Sequence, residues 1–185
     1  MVSELVRHRF TVADMDRMIA AGILGEEDHV ELIGGEIVEM AAKGEPHQMC
    51  MMRSVRYLAP LLTGELWLGT QDPIVLAEDE RPEPDLLMCR VKGGDEYIIP
   101  TLGNILFVIE IAHSSLSIDR NTKFPRYGRA GIPESWLFDV VNRRIERHTE
   151  PGPDGYGLVA VAQRGESLPS TVVPGVVFVV NDLLR

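Results

Sequence analysis

Residues 104–119 read N-I-L-F-V-I-E-I-A-H-S-S-L-S-I-D, and they predict the centre of the fold. Residues 105–112 are apolar on both faces apart from Glu110, a pattern typical of a central strand that is covered on both sides. An ionised carboxylate there loses much of its hydration energy unless a cation, a hydrogen-bond donor or a proton compensates it. Glu110 therefore belongs either to a structural ion pair with a nearby Arg or Lys, or to a metal or catalytic site.

Length and composition predict a single domain over residues 1–185, because a chain of this size buries a core without disulfides. No apolar run approaches the roughly 20 residues of a membrane span, which predicts a cytoplasmic protein with no membrane partner. Cys50 and Cys89 form no paired ligand motif and are interpreted as reduced core thiols. The net charge of −10 excludes a general nucleic-acid coat protein but is compatible with a local basic patch.

Helices are predicted at three places. Residues 12–21 carry apolar side chains at helical spacing, after a capping pattern that begins at Thr11. A second helix has Pro46 in its first turn, and His47 beside it is interpreted as a surface or capping residue rather than a ligand. A third, basic helix follows the Glu110 strand, and Pro125 delays or kinks it.

Strands alternate with these helices and predict the class α/β (α+β). A hairpin with its turn at Gly34-Gly35 comes first, and its three glutamates are interpreted as a solvated face. The strand, basic helix and strand around Glu110 predict a parallel crossover. Further strands are predicted over residues 67–70, 74–77, 86–89, 105–112, 134–140, 144–149, 156–162 and 176–180.

Two carboxylates in this pattern point to a metal site. Asp85 stands at the entrance of one apolar strand and Glu110 lies within the next, so the two side chains are able to converge at adjacent strand ends. Two carboxylates, a substrate phosphate and water suit Mg²⁺ or Mn²⁺. A nearby lysine would complete a phosphodiester hydrolysis site by stabilising negative charge. If the two carboxylates face each other without metal, they would repel each other and strain the metal-free fold, so Glu110→Gln would leave its stability unchanged or raise it. Under the ion-pair alternative, the same substitution would cost roughly 3 to 5 kcal/mol.

Six segments together resemble the Uma-type endonuclease family. The resemblance covers nearly the whole chain and implies the restriction-endonuclease-like PD-(D/E)XK fold, with a central mixed sheet flanked by helices and a divalent-metal nuclease site. The segments are V-E-L-I-G-G-E-I-V-E-M at 30–40, P-H-Q at 46–48, R-P-E-P-D-L at 81–86, L-F-V-I-E-I-A-H-S-S at 106–115, D-R-N-T-K-F-P-R-Y at 119–127 and G-I-P-E-S-W-L-F-D-V at 131–140.

The resemblance assigns four site residues. It implies that Asp85 and Glu110 are the metal ligands, that Lys123 is the catalytic lysine and that Glu31 is an early glutamate supporting the metal or its water. The chain departs from the D/E-x-K spacing, because the position two residues after the glutamate is Ala112. Lys123 must therefore act from the helix that follows.

These observations predict a Mg²⁺- or Mn²⁺-dependent endonuclease that acts on DNA. A homodimer is expected, since a duplex needs two cuts and two-fold association is the commonest oligomer. The first alternative is a binding or scaffolding module that keeps the nuclease fold without turnover. The acidic net charge favours this alternative. The second alternative is a hydrolase for a small phosphorylated metabolite. Such a substrate suits the acidic charge, but the sequence contains no phosphate-binding loop.

Overall fold

The computed structural model describes residues 6–40, 42–62, 64–91 and 99–185. The chain divides into two compact units, one formed by Met1–Met40 with Val75–Pro82 and the other by Ala41–Ile74 with Glu83–Arg185. The single domain over residues 1–185 stays a prediction. Gly93-Gly94, interpreted from the sequence as a loop, lies outside the described residues. Among the described residues, no helix combines the length and the apolar character needed to cross a bilayer.

The first unit contains helix α1 (Val12–Ala20), a 3₁₀ turn (Glu26–Asp28) and the hairpin β1 (Val30–Ile33) and β2 (Glu36–Glu39). Thr11 and Asp14 form the predicted capping box, with the Asp14 N–H donating to Thr11 Oγ1 at 3.1 Å. Gly34 and Gly35 both have positive φ, 58° and 73°, as the tight hairpin turn requires. Helix and hairpin are thus confirmed.

The strand predicted over residues 74–77 is wrong. The chain reverses within four residues there, and the Glu80 N–H bonds back to the Ala77 carbonyl at 3.3 Å. Ala77 and Glu80 make one isolated antiparallel bridge outside the named strands. A Pro73 turn followed by apolar residues resembles a strand in sequence, but it forms one only where a partner strand runs alongside.

A six-stranded mixed sheet forms the centre of the second unit. Its order is β3-β4-β5-β6-β7-β8, in which β5 and β6 are parallel and every other neighbouring pair is antiparallel. The predicted mixed sheet with flanking helices and the parallel crossover are confirmed. The strands are β3 (Leu66–Thr70), β4 (Leu86–Arg90), β5 (Ile105–Ala112), β6 (Glu134–Asp139), β7 (Arg144–Gly152) and β8 (Gly155–Ala162), and a small pair follows as β9 (Ser167–Pro169) and β10 (Val177–Val179).

One face of the sheet carries the main core. Phe107 and Trp136 of the sheet, Leu58 of helix α2 (Glu45–Leu58) and Phe178 of β10 are fully buried in one cluster. Helix α2 continues as a 3₁₀ turn (Ala59–Leu61), and the chain ends in the short helix α5 (Val180–Leu183). Because side chains alternate along a strand, Glu110 points to the opposite face from this core.

The crossover between β5 and β6 covers that opposite face. It consists of α3 (Leu116–Ile118), a π-helical turn (Asp119–Lys123) and α4 (Phe124–Arg129). The Phe124 N–H bonds to the Asp119 carbonyl, five residues back, directly before Pro125. Proline has no N–H to continue the ladder, which accounts for the interruption that the sequence predicted here. Lys123 is the last residue of this widened turn.

Cys50 and Cys89 are buried free thiols, as predicted. Burial raises the pKa of each to about 12, so both remain protonated at neutral pH. Neither thiol is a candidate nucleophile.

Candidate active site

Asp85 lies immediately before β4, and three donors surround its carboxylate. Oδ2 accepts the backbone N–H of Ile111 at 2.8 Å and lies 3.0 Å from His47 Nε2, while Oδ1 lies 3.1 Å from Lys43 Nζ. Burial alone would raise the pKa of this carboxyl, but His47, Lys43 and the backbone donor outweigh it and hold the pKa below its ordinary 3.8. Asp85 is therefore an anion at neutral pH although it is buried.

Glu110 lies in the middle of the buried strand β5 and meets two donors from the crossover. Lys123 Nζ lies 3.3 Å from Glu110 Oε1, and the Tyr127 hydroxyl donates to the same oxygen at 2.6 Å. Lys123 and Tyr127 are four residues apart across the start of α4, so both project from one side of the crossover. The sheet supplies the carboxylate and the crossover supplies the positive charge.

Strand register places the carboxylates in one row. The β4–β5 ladder puts Asp85 opposite Glu110, one step beyond its last paired residues. Glu110 pairs on its other side with Leu137 of β6, and Leu137 pairs with Glu146 of β7. Directly opposed residues of antiparallel strands point to one face with Cβ atoms about 5 Å apart. Asp85 and Glu110 are thus immediate neighbours, and Glu146 lies two strands further along.

Glu146 organises a second cluster of charge. Arg120 donates to it through both Nε and Nη2, at 3.2 and 2.6 Å, and His148 Nε2 lies 3.2 Å away. Arg144 Nη2 lies 3.3 Å from the same carboxylate. Burial opposes ionisation, but His148 and Arg120 outweigh it and lower the pKa of Glu146 to about 2. The basic segment of the crossover therefore turns Arg120 and Lys123 toward the sheet.

The Uma2 family, described as "Putative restriction endonuclease", matches residues 12–181. The chain belongs to the Uma2 family. Its fold is similar to a crystal structure titled a "putative nuclease belonging to DUF820" from Anabaena variabilis ATCC 29413, with a TM-score of 0.73 and 15% sequence identity. The similarity covers 95% of this chain and 97% of that one. No curated protein matches the sequence.

Three of the four site residues predicted from the sequence come together in this Uma2 protein. Asp85 and Glu110 share one face of the sheet, and Lys123 contacts Glu110 directly. Glu31 is buried in β1 of the first unit, which corrects its interpretation as a solvated residue, whereas Glu36 and Glu39 are exposed. The role of Glu31 at the metal stays a prediction.

The structure also corrects the expectation that the metal-free protein is strained. Each carboxylate already has an ammonium partner, Lys43 beside Asp85 and Lys123 beside Glu110. The ion-pair alternative for Glu110 is therefore realised, and its partner is the same lysine that the resemblance assigns to catalysis.

Sequence reasoning missed three side chains of the site, namely Lys43, His47 and Tyr127. His47 was interpreted as a surface or capping residue, but it is buried in the first turn of α2 and contacts Asp85. Its Nδ1 makes no hydrogen bond within the described part of the chain. The signals available in the sequence were a charged residue and a histidine at one helix start, preceding an aspartate at a strand start, and only the fold brings them together.

The donor set fits a hard divalent cation. Asp85 and Glu110 offer carboxylate oxygens, which Mg²⁺ and Mn²⁺ prefer. No group of three or more His, Cys, Asp or Glu side chains able to hold a metal occurs among the described residues. Two carboxylates with water and substrate phosphate completing the shell is the usual arrangement for Mg²⁺. The two lysine ammonium groups show that these oxygens accommodate positive charge.

Proposed function

We propose that the protein is a Mg²⁺- or Mn²⁺-dependent endonuclease that hydrolyses phosphodiester bonds of DNA. One observation carries the proposal: Asp85 and Glu110 lie on one face of adjacent strands, each beside a lysine ammonium group. Membership of the Uma2 family and likeness to a fold titled a nuclease support this reading.

Asp85 and Glu110 would hold the divalent ion. The bound ion would neutralise a substrate phosphate and lower the pKa of its bound water, so that hydroxide is available at neutral pH. The Ile111 N–H and His47 fix Oδ2 of Asp85 and thereby orient the carboxylate. Tyr127 holds Glu110 through its hydroxyl in the same way.

Lys123 would supply positive charge to the reacting phosphate. Its side chain is only 8% exposed, and its ammonium group is held beside Glu110 before any substrate arrives. A preorganised charge in a site with little water stabilises the developing negative charge of phosphodiester hydrolysis more than a solvated one does. Lys123 would thus take the role that the resemblance gives to the D/E-x-K lysine, although it comes from the crossover.

The proposal is tested by incubating the protein with supercoiled plasmid DNA in Mg²⁺, in Mn²⁺ and in EDTA. Nicked or linear DNA should form with the ions and not in EDTA. p-Nitrophenyl phosphate in parallel tests the alternative of a small phosphate ester. Cleavage of that ester without cleavage of DNA would contradict the DNA assignment.

A binding module without turnover is the second candidate. The net charge of −10 favours it, because an acidic protein must overcome repulsion from DNA. It predicts that plasmid DNA stays intact with every ion and that metal does not stabilise the protein.

A homodimer and a cytoplasmic location complete the proposal. A two-fold dimer would present one site to each strand of a duplex. Light scattering or sedimentation at micromolar concentration measures the mass directly, and a mass of 20.6 kDa would contradict the dimer.

A further inference from the structure

Lysine is rare in this chain and is concentrated at the site. The sequence contains 15 arginines but only three lysines, at positions 43, 92 and 123. Two of the three contact the two carboxylates proposed to bind metal. Lysine is a compact charge on a flexible stem, whereas arginine forms a rigid fork that holds a carboxylate in two places. Lysine is thus the better choice where a cation must exchange.

The two oxygens of Asp85 differ in how firmly they are held. Oδ2 is bound by the Ile111 N–H of strand β5 and by His47, a buried residue in the first turn of helix α2. Oδ1 is bound by Lys43, which lies in the irregular residues 42–44 before that helix. Oδ1 is therefore the oxygen that Asp85 is able to offer to another cation without disturbing the fold.

Lys43 is also the more accessible of the two site lysines. Its side chain is 26% exposed, against 8% for Lys123, which lies beneath the crossover. A long aliphatic stem lets a lysine ammonium move several ångströms while its backbone stays in place. Lys43 is thus able to leave Asp85, whereas Lys123 remains where it is.

We propose that Lys43 is an exchangeable cation of the site: it neutralises Asp85 in the metal-free protein, leaves Oδ1 when a divalent ion binds, and then contacts the substrate phosphate. The second half of this inference rests on the proposed nuclease function. The first half concerns only the metal and holds whether or not the protein cleaves DNA.

Exchange of this kind has two opposite consequences. A divalent ion must displace Lys43, so the lysine weakens metal binding in the absence of substrate. Once displaced, its charge lies next to the phosphate that the ion holds, where it favours the more negative transition state. Removing the charge should therefore tighten metal binding and slow turnover.

Metal binding is measured first, without nucleic acid, by titrating Mn²⁺ and following the free-ion signal by electron paramagnetic resonance. Lys43→Gln should bind Mn²⁺ about tenfold more tightly than wild type, the factor expected when one charge-assisted hydrogen bond no longer has to be broken. Arg56→Gln is the control, because it removes one charge from an exposed position about 14 Å along α2 from His47. Thermal melting of each variant protein in EDTA shows whether it is folded.

The outcomes of this titration decide the first half. Equal or weaker Mn²⁺ binding by Lys43→Gln would overturn the exchange, as would the same tightening in Arg56→Gln. Failure of all proteins to bind Mn²⁺ would overturn the exchange together with the metal site.

Turnover is measured second, as the initial rate of plasmid nicking at saturating Mn²⁺. Lys43→Gln should nick about tenfold or more slowly than wild type, and Lys43→Arg, which keeps the charge, should recover part of the rate. A normal rate in Lys43→Gln would overturn the contact with phosphate and leave the exchange intact. A wild type that binds Mn²⁺ but never nicks DNA would overturn the nuclease proposal and with it the phosphate contact, while the titration still decides the exchange.

Discussion

Replacing Glu110 by glutamine removes one partner of a buried ion pair. Glu110 and Lys123 are both buried, and Glu110 also accepts the Tyr127 hydroxyl at 2.6 Å. Glutamine keeps the shape and an acceptor oxygen but removes the negative charge that faces the buried Lys123 ammonium group at 3.3 Å. Breaking a buried pair from one side costs about 3 to 5 kcal/mol. A loss of this size should lower the melting temperature by roughly 10 °C in a domain of this length.

The assay is urea unfolding of the metal-free protein in EDTA at pH 7, followed by circular dichroism. Glu110→Gln should lose about 3 kcal/mol or more relative to wild type. The double variant Glu110→Gln with Lys123→Met is the matched control, since it removes both charges together. It should recover a large part of the loss, because a buried pair replaced on both sides is often tolerated.

Stability of Glu110→Gln within about 0.5 kcal/mol of wild type would refute this reasoning. It would mean that Lys123 does not neutralise Glu110 and that the two carboxylates repel each other in the metal-free protein. A double variant no more stable than Glu110→Gln would also contradict the ion-pair account, since removing the Lys123 charge would then restore no stability.

Two further predictions concern Glu146 and Gly128. The pKa of Glu146 is lowered from its ordinary 4.5 to about 2 in the folded protein. Ionised Glu146 therefore adds about 3 kcal/mol to the free energy of unfolding above pH 4.5, and this contribution is lost as the pH falls toward 2. Wild type should therefore lose more stability than Glu146→Gln between pH 5 and 2.5 in urea titrations, and parallel curves would contradict the assignment. At Gly128 an added Cβ would lie 2.4 Å from the backbone carbonyl carbon of Gly155. Gly128→Ala should therefore push α4 away from β8 and destabilise the protein by about 1 to 3 kcal/mol. Unchanged thermal melting of that variant would show that the helix adjusts freely.

The sequence predicted the parts of the fold that depend on local pattern. An eight-residue run that is apolar on both faces is typical of a central strand in an α/β protein. The prediction for residues 105–112 is confirmed by β5. Glu110 was conspicuous for the same reason, because a lone carboxylate in such a run demands compensation. Pro125 also gave a true signal, since the helical ladder is widened directly before it.

The parts that the sequence did not predict depend on distant contacts. Lys43 and His47 precede Asp85 by about 40 residues, and only the packing of α2 against the sheet brings them to its carboxylate. Charge compensation of this kind leaves no periodic signal along the chain. The strand predicted at residues 74–77 failed for a related reason, because apolar residues form a strand only when a partner strand runs alongside.

The central claim is that Asp85 and Glu110 hold a divalent ion and that Lys123 acts on the phosphate. The most direct measurement is the initial rate of plasmid nicking at saturating Mn²⁺ for wild type, Asp85→Ala and Lys123→Ala, with Arg56→Gln as the control for lost surface charge. Asp85→Ala should lose all metal-dependent nicking, Lys123→Ala should be about 100-fold slower or more, and Arg56→Gln should match wild type. Equal nicking by Asp85→Ala and wild type, with both proteins folded, would contradict the account.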